Sequence, residues 1–278
     1  MSTAIALPAR DGLRLAAEWV APVAPRAAAL VAPAMGVPRR YYLPFARSLA
    51  ENGIATLVAN YRGMDGSENH PTARLRDWAE QDLAGASDWL VARTAGLPRT
   101  WIGHSVGAQL FGLLPNAPFD RALFVAGQSG WSGNWPSRRD RLTLAAFWWV
   151  GVPIVTRAAG KLPMRAFGQG EDVPAGVARE WASWGRKRNY IGSYAETLPT
   201  DGFRTFAGPL RMVAFSDDRY APASTARALA AMYRVAEPEV REITPPYAGL
   251  PRIGHFGAFR AESRDAIWSE FLTFALGG

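Results

Sequence analysis

Ser105 stands in Gly103-His104-Ser105-Val106-Gly107, a glycine-flanked serine between an apolar run (99–104) and a helix-like one beginning at Val106. Such a serine, on a strained turn from strand to helix, projects its hydroxyl where it can attack a carbonyl carbon. The bland reading is an ordinary strand-to-helix turn. A serine hydroxyl is a weak nucleophile at its own pKa, so it needs a general base, and the base needs an acid to set its tautomer. The chain has three histidines. His104 adjoins the serine and points away from its hydroxyl on a turn of this kind. His70 lies in a polar loop ahead of Ser105. His255, in Ile253-Gly254-His255-Phe256-Gly257, is the candidate base; its other reading is a capping or buried loop histidine. For the acid, Asp217 and Asp218 follow the apolar run 209–216. Asp218 is favoured, because Pro222 opens the next helix and leaves Asp218 in the loop facing the site. Asp217 is the alternative, and its other role is capping or a surface charge.

These residues need elements to bring them together. Two apolar runs flank Asp11-Gly12 within 3–20, which predicts a β-hairpin. Short continuous apolar runs at 27–33, 54–60, 99–104 and 121–127 suit buried strands. Helical spacing lies between them at 41–52, closed by Gly53, and at 77–93. The loop after the second of these strands, YRGMDGSE, is rich in glycine. Strand and helix alternate, which predicts a mostly parallel sheet covered on both faces. The alternation stops over 131–208. That stretch has no strand pattern and holds six of the 11 tryptophans: Trp131, Trp135, Trp148, Trp149, Trp181 and Trp184. It resumes with a strand at 209–216, a helix near 223–235, a strand at 241–244, the loop carrying His255, and a helix near 261–275. The expected division is an α/β core of 1–130 and 209–278 with a Trp-rich helical insertion at 131–208.

The order Ser105, Asp218, His255 and the segments PAMGVPRRYYLPFARSLAENG, NYRGMDGSE, DWAEQDLAGASDWL, GHSVGAQL, SDDRYAP and IGHFGAFR resemble the α/β-hydrolases. Within that superfamily the chain is similar to a group of bacterial predicted α/β-hydrolases. The resemblance covers roughly residues 1–130 and 209–278, and 131–208 resembles the superfamily's cap domains in position and length only. It implies an α/β-hydrolase fold, a mostly parallel central sheet flanked by helices, with a cap inserted after the strand at 121–127. It also implies an oxyanion hole. Many members carry His-Gly after the first central strand; here the matching stretch is Pro33-Ala34-Met35-Gly36. By that register the backbone N–H groups of Met35 and Val106 are the donors. Relatives that dehalogenate or open epoxides use Asp where Ser105 stands.

Composition narrows the chemistry further. There is no cysteine, which excludes disulfides, thiolate metal sites and a cysteine nucleophile. No phosphate-binding G-x-x-x-x-G-K-[ST] or G-x-G-x-x-G motif lies at a strand–helix junction. The formal charge of +7 is nearly all arginine, since only Lys161 and Lys187 are lysines. The arginines are scattered and no nucleic-acid motif accompanies them. The N-terminus lacks a basic, apolar leader. The uncharged stretch Leu142 to Thr156 is shorter than the roughly 20 residues of a membrane span and contains Gly151 and Pro153. A cytoplasmic protein is expected, with membrane contact not expected, although this stretch is the one suited to touch a membrane surface or a partner.

The residues therefore point to acyl transfer without metal or organic cofactor, on a small-molecule substrate. The expected reaction is carboxylic ester hydrolysis. A thioesterase or acyltransferase would use the same residues, and a non-enzymatic ligand-binding protein is the third reading. Trp131, Trp135, Trp148 and Trp149 are candidate contacts for an apolar substrate portion, or simply pack the insertion's own core.

Overall fold

Two strands of the main sheet in the computed structural model have every residue buried: β3 (Ala27–Ala32) and β4 (Ile54–Val58). A strand covered on both faces belongs in the middle of a sheet clad by helices on each side, which is why these runs are apolar but for Thr56. The structure describes residues 2–65, 70–167 and 170–278, without the side chain of Phe167; the end of the glycine-rich loop, Gly66-Ser67-Glu68, lies outside the described residues.

Chain order begins with β1 (Ser2–Pro8) and β2 (Arg14–Val20), then β3, helix α1 (Leu43–Glu51) and β4. Helix α2 (75–93) follows, and then β5 (Arg99–His104), helix α3 (106–113) and β6 (Arg121–Val125). Among the described residues eight strands form one sheet, in the order β1-β2-β4-β3-β5-β6, then β9 (Leu210–Phe215) and β10 (Glu239–Ile243). The hairpin β1–β2 is antiparallel and joins β4 antiparallel; every other pairing is parallel. At the hairpin turn Gly12 adopts φ +87°, a conformation open to glycine without strain.

Alternate side chains go to opposite faces. Leu30, Trp101, Phe124 and Met212 enter one buried cluster. Val31, Ile102, Val125 and Val213 enter the other, with α1 and the last helix, α7 (264–276), packed over them. Between β6 and β9 the chain forms α4 (Arg138–Ala159), a short pair β7 (Lys161–Leu162) and β8 (Val173–Pro174), and α5 (Ala175–Gly185). Helix α6 (Ala223–Ala230) links β9 to β10.

Two features differ from the sequence reading. The pair β7–β8 lies in the stretch expected to hold no strand; two residues per strand are too few for any alternation to register. The uncharged stretch Leu142–Thr156 is part of one 22-residue helix. Its ladder widens to a π-turn over Phe147–Gly151, just before Pro153, where the helix tolerates a residue that has no N–H.

Candidate active site

Strand β5 runs straight into the turn that carries Ser105. Ser105 has φ +52° and ψ −110°, a region that costs a non-glycine residue about 1–3 kcal/mol and persists only where its surroundings impose it. The surroundings here are backbone. A Cβ on Gly103 would lie 2.6 Å from the Ala108 nitrogen, and one on Gly107 2.2 Å from the Ala32 carbonyl oxygen. The two glycines let strand, turn and helix approach that closely, and the approach forces the serine outward.

The candidate base and acid come from the loops that follow β10 and β9. Ser105 Oγ lies 2.9 Å from His255 Nε2. On its other side His255 Nδ1 lies 2.7 Å from Asp218 Oδ2. A carboxylate only accepts, so Nδ1 carries the proton and Nε2 presents its lone pair to the serine hydroxyl. The second Asp218 oxygen accepts the N–H groups of Tyr220 (2.8 Å) and Ala221 (3.1 Å), which fixes the carboxylate plane. Ser105 and His255 are 7% and 8% exposed, so the pair is almost closed to solvent.

Asp217 does something else. Its two oxygens accept the N–H groups of Ile253 and Gly254, each at 2.9 Å. These are the two residues before His255. One aspartate therefore meets the imidazole while its neighbour clamps the loop that carries it.

His104 points away from the serine hydroxyl, as its position on the turn requires, and is fully buried. Tyr42 OH accepts the Ala34 N–H at 2.8 Å, so its own proton goes to His104 Nδ1, also 2.8 Å away. His104 Nε2–H then donates to the His255 carbonyl at 2.8 Å. Burial, with the neighbouring His255 as a second cause, pushes the His104 pKa down from 6.5 to about 3. A neutral imidazole thus ties the loop after β3 to the loop of His255. Nothing in the sequence flagged Tyr42, which reads as one apolar residue on a helix face.

Ala34 N–H is committed to Tyr42, which leaves Met35 N–H as the next donor along that loop. Val106 begins α3, so its N–H is among the leading donors that a helix leaves unpaired. The insertion holds the same loop from above: Glu171 N–H donates to the Gly36 carbonyl at 2.7 Å.

The four tryptophans singled out above have four different surroundings. Trp148 is buried and donates to the Gly130 carbonyl (2.9 Å). Trp135 donates to the carbonyl of Arg219, next to Asp218, at 3.1 Å. Trp149 faces outward. Trp131 lines an open cavity of about 530 Å³ with Asn134, Arg188, Phe203 and Arg234. Two further residues join the insertion to α3: Tyr190 OH donates to Gln109 Oε1 at 2.7 Å and accepts Trp181 Nε1–H at 3.0 Å. Among the described residues no group of three or more His, Asp or Glu side chains is placed to hold a metal ion.

A parallel sheet with an antiparallel leading hairpin, a serine elbow after β5 and polar loops after β9 and β10 together define the α/β-hydrolase class. The chain matches the α/β hydrolase family over residues 11–267 and belongs to it. By sequence, no curated protein matches. Among solved structures it is similar to an esterase from Exiguobacterium antarcticum, with TM-score 0.63 at 12% identity, covering 99% of this chain and 100% of that one. The esterase domain of a Rhodothermus marinus protein gives 0.59 at 16% identity over 99% and 98% of the two chains. A thioesterase domain from the curacin biosynthetic pathway gives 0.59 at 11% identity over the full length of both. At these identities the likeness carries the fold.

Proposed function

We propose that this protein is a serine hydrolase that cleaves carboxylic esters through an acyl-enzyme. The observation that carries the reading is the unbroken chain of contacts from Ser105 to His255 to Asp218, at 2.9 and 2.7 Å. His255 Nε2 takes the Ser105 proton as Oγ attacks the ester carbonyl, and Asp218 stabilises the imidazolium. The oxyanion sits on the N–H groups of Met35 and Val106, where losing one donor typically costs about 10²–10³ in turnover. His255 then gives its proton to the leaving alkoxide. Water, deprotonated by the same nitrogen, attacks the acyl-enzyme and releases the acid. The insertion after β6 acts as a cap over the mouth of the site, held to the loops of Met35 and Asp218 by Glu171 and Trp135.

The likeness to a thioesterase domain supports a second reading, in which the same residues act on an acyl-thioester. A fluorophosphonate probe tests the nucleophile. Wild type is expected to label and Ser105→Ala not to; an unlabelled wild type, folded by circular dichroism, would favour a ligand-binding protein. Relative rates on p-nitrophenyl esters and acyl-thioesters then decide between the two substrates.

A further inference from the structure

Helix α4 turns large apolar side chains to the outside. Leu142 is 73% exposed, Trp149 62%, Val150 53% and Ile154 61%. Their spacing along the helix places them on one stripe. The opposite side of the helix is anchored. Trp148, Val152 and Thr156 are buried, and Arg179 Nε–H donates to Thr156 Oγ1 at 2.9 Å. The stripe is therefore held outward by a fixed inner face. A continuous exposed apolar strip on a rigid element marks an interaction surface, whereas single exposed apolar residues do not.

Charge indicates what covers it. Arg138, Arg139 and Arg141 precede the strip and Arg157 follows it, while Asp140 is the one carboxylate on the helix; Lys161, just beyond, is paired with Asp172 at 2.7 Å. Arg186, reaching from the end of α5, lies 4.9 Å from the Trp149 ring centroid and donates to the Trp148 carbonyl. Apolar side chains between long cations, with a tryptophan at the boundary, suit a layer that is hydrocarbon below and anionic phosphate above. A second copy of this chain is a poor fit. A two-fold contact would set the same cationic helix against itself, in a chain whose formal charge is already +7. The helix has the length and apolar composition to cross a membrane, but its inner face is built into the protein, which leaves only its outward stripe for a lipid surface.

We propose that α4 docks this protein reversibly on an anionic lipid surface. Leu142, Trp149, Val150 and Ile154 enter the acyl layer, and the flanking arginines meet headgroup phosphates. The proposal does not rest on the catalytic reading, and its test needs no turnover. The purified full chain is sedimented with vesicles of phosphatidylcholine mixed with phosphatidylglycerol, and with phosphatidylcholine vesicles alone. Binding to the mixed vesicles is expected to be stronger by about fivefold for each cation that reaches the surface, and to weaken as salt is added. The variant Leu142→Ser/Val150→Ser/Ile154→Ser is expected to bind at least about tenfold more weakly, with its thermal unfolding midpoint retained. Brominated lipid is expected to quench wild-type tryptophan fluorescence and to quench Trp149→Phe less. Wild type that stays in the supernatant with anionic vesicles overturns the proposal, as does equal quenching of Trp149→Phe. A dimer that the triple variant abolishes, in a protein that ignores vesicles, assigns the stripe to a second copy and overturns it equally.

Discussion

Asp217 and Asp218 are chemically identical neighbours with separate tasks, and only their partners tell them apart. Asp218 meets His255 Nδ1, so Asp218→Asn removes the charge that stabilises the imidazolium and favours the wrong tautomer. Turnover is expected to fall by about 10⁴-fold. Asp217 holds the N–H groups of Ile253 and Gly254. In Asp217→Asn one of the two acceptors becomes a donor, the loop shifts, and turnover is expected to fall by no more than about 10²-fold. Stability should fall by about 1–3 kcal/mol. Steady-state rates and urea midpoints of the two variants check this; an inactive Asp217→Asn beside an active Asp218→Asn reverses the assignment. His104 offers a test of linkage. Its folded pKa of about 3 lies below its ordinary 6.5. The unfolded chain therefore binds a proton that the folded one refuses, and the stabilisation present above pH 6.5 drains away as pH falls toward 3. Between pH 7 and pH 5 wild type is expected to lose about 2 kcal/mol more than His104→Gln in urea unfolding. Parallel pH dependence of the two proteins would contradict the neutral, buried imidazole.

At the level of elements, the serine turn depends on close approach of backbones. Gly107→Ala would press a methyl group against the Ala32 carbonyl from 2.2 Å, and neither backbone can yield without moving α3 off β3. The expected result is a stability loss of about 1–3 kcal/mol together with lost fluorophosphonate labelling, since Val106 N–H moves with the helix. Labelling at the wild-type rate would show that the turn is less crowded than its geometry requires. The sheet was legible in the sequence for a simple reason. Ala27–Ala32 is apolar throughout and Ile54–Val58 is interrupted only by Thr56, and both are buried along their whole length. The outward stripe of α4 was not legible. Its apolar residues look the same in sequence whether they face solvent or core, and only packing separates Trp149 from Trp148.

For the whole molecule, scarcity made the three side chains of the proposed triad readable: with three histidines and one elbow, few combinations remain. The supports were hidden because each joins distant parts of the chain. Tyr42 meets His104, Tyr190 meets Gln109, and Arg76 pairs with Glu180 at 2.6 Å. The last two cross between the residues outside 131–208 and those within it. At Gly176 a Cβ would lie 2.3 Å from the Ala73 carbonyl oxygen, so backbones touch across the same boundary. Trp148, Val177, Trp184 and Tyr190 belong to the same buried cluster as Leu30, Trp101 and Phe124. An interior shared in this way leaves α5 no separate core on which to remain folded or from which to detach. Native-state hydrogen exchange is therefore expected to give the slowest amides of α5 an opening free energy within about 1 kcal/mol of those in β5, as in one cooperative unit. Exchange from α5 at several kcal/mol below β5 would mean that the insertion opens alone and that its contacts with the sheet are dispensable for the fold.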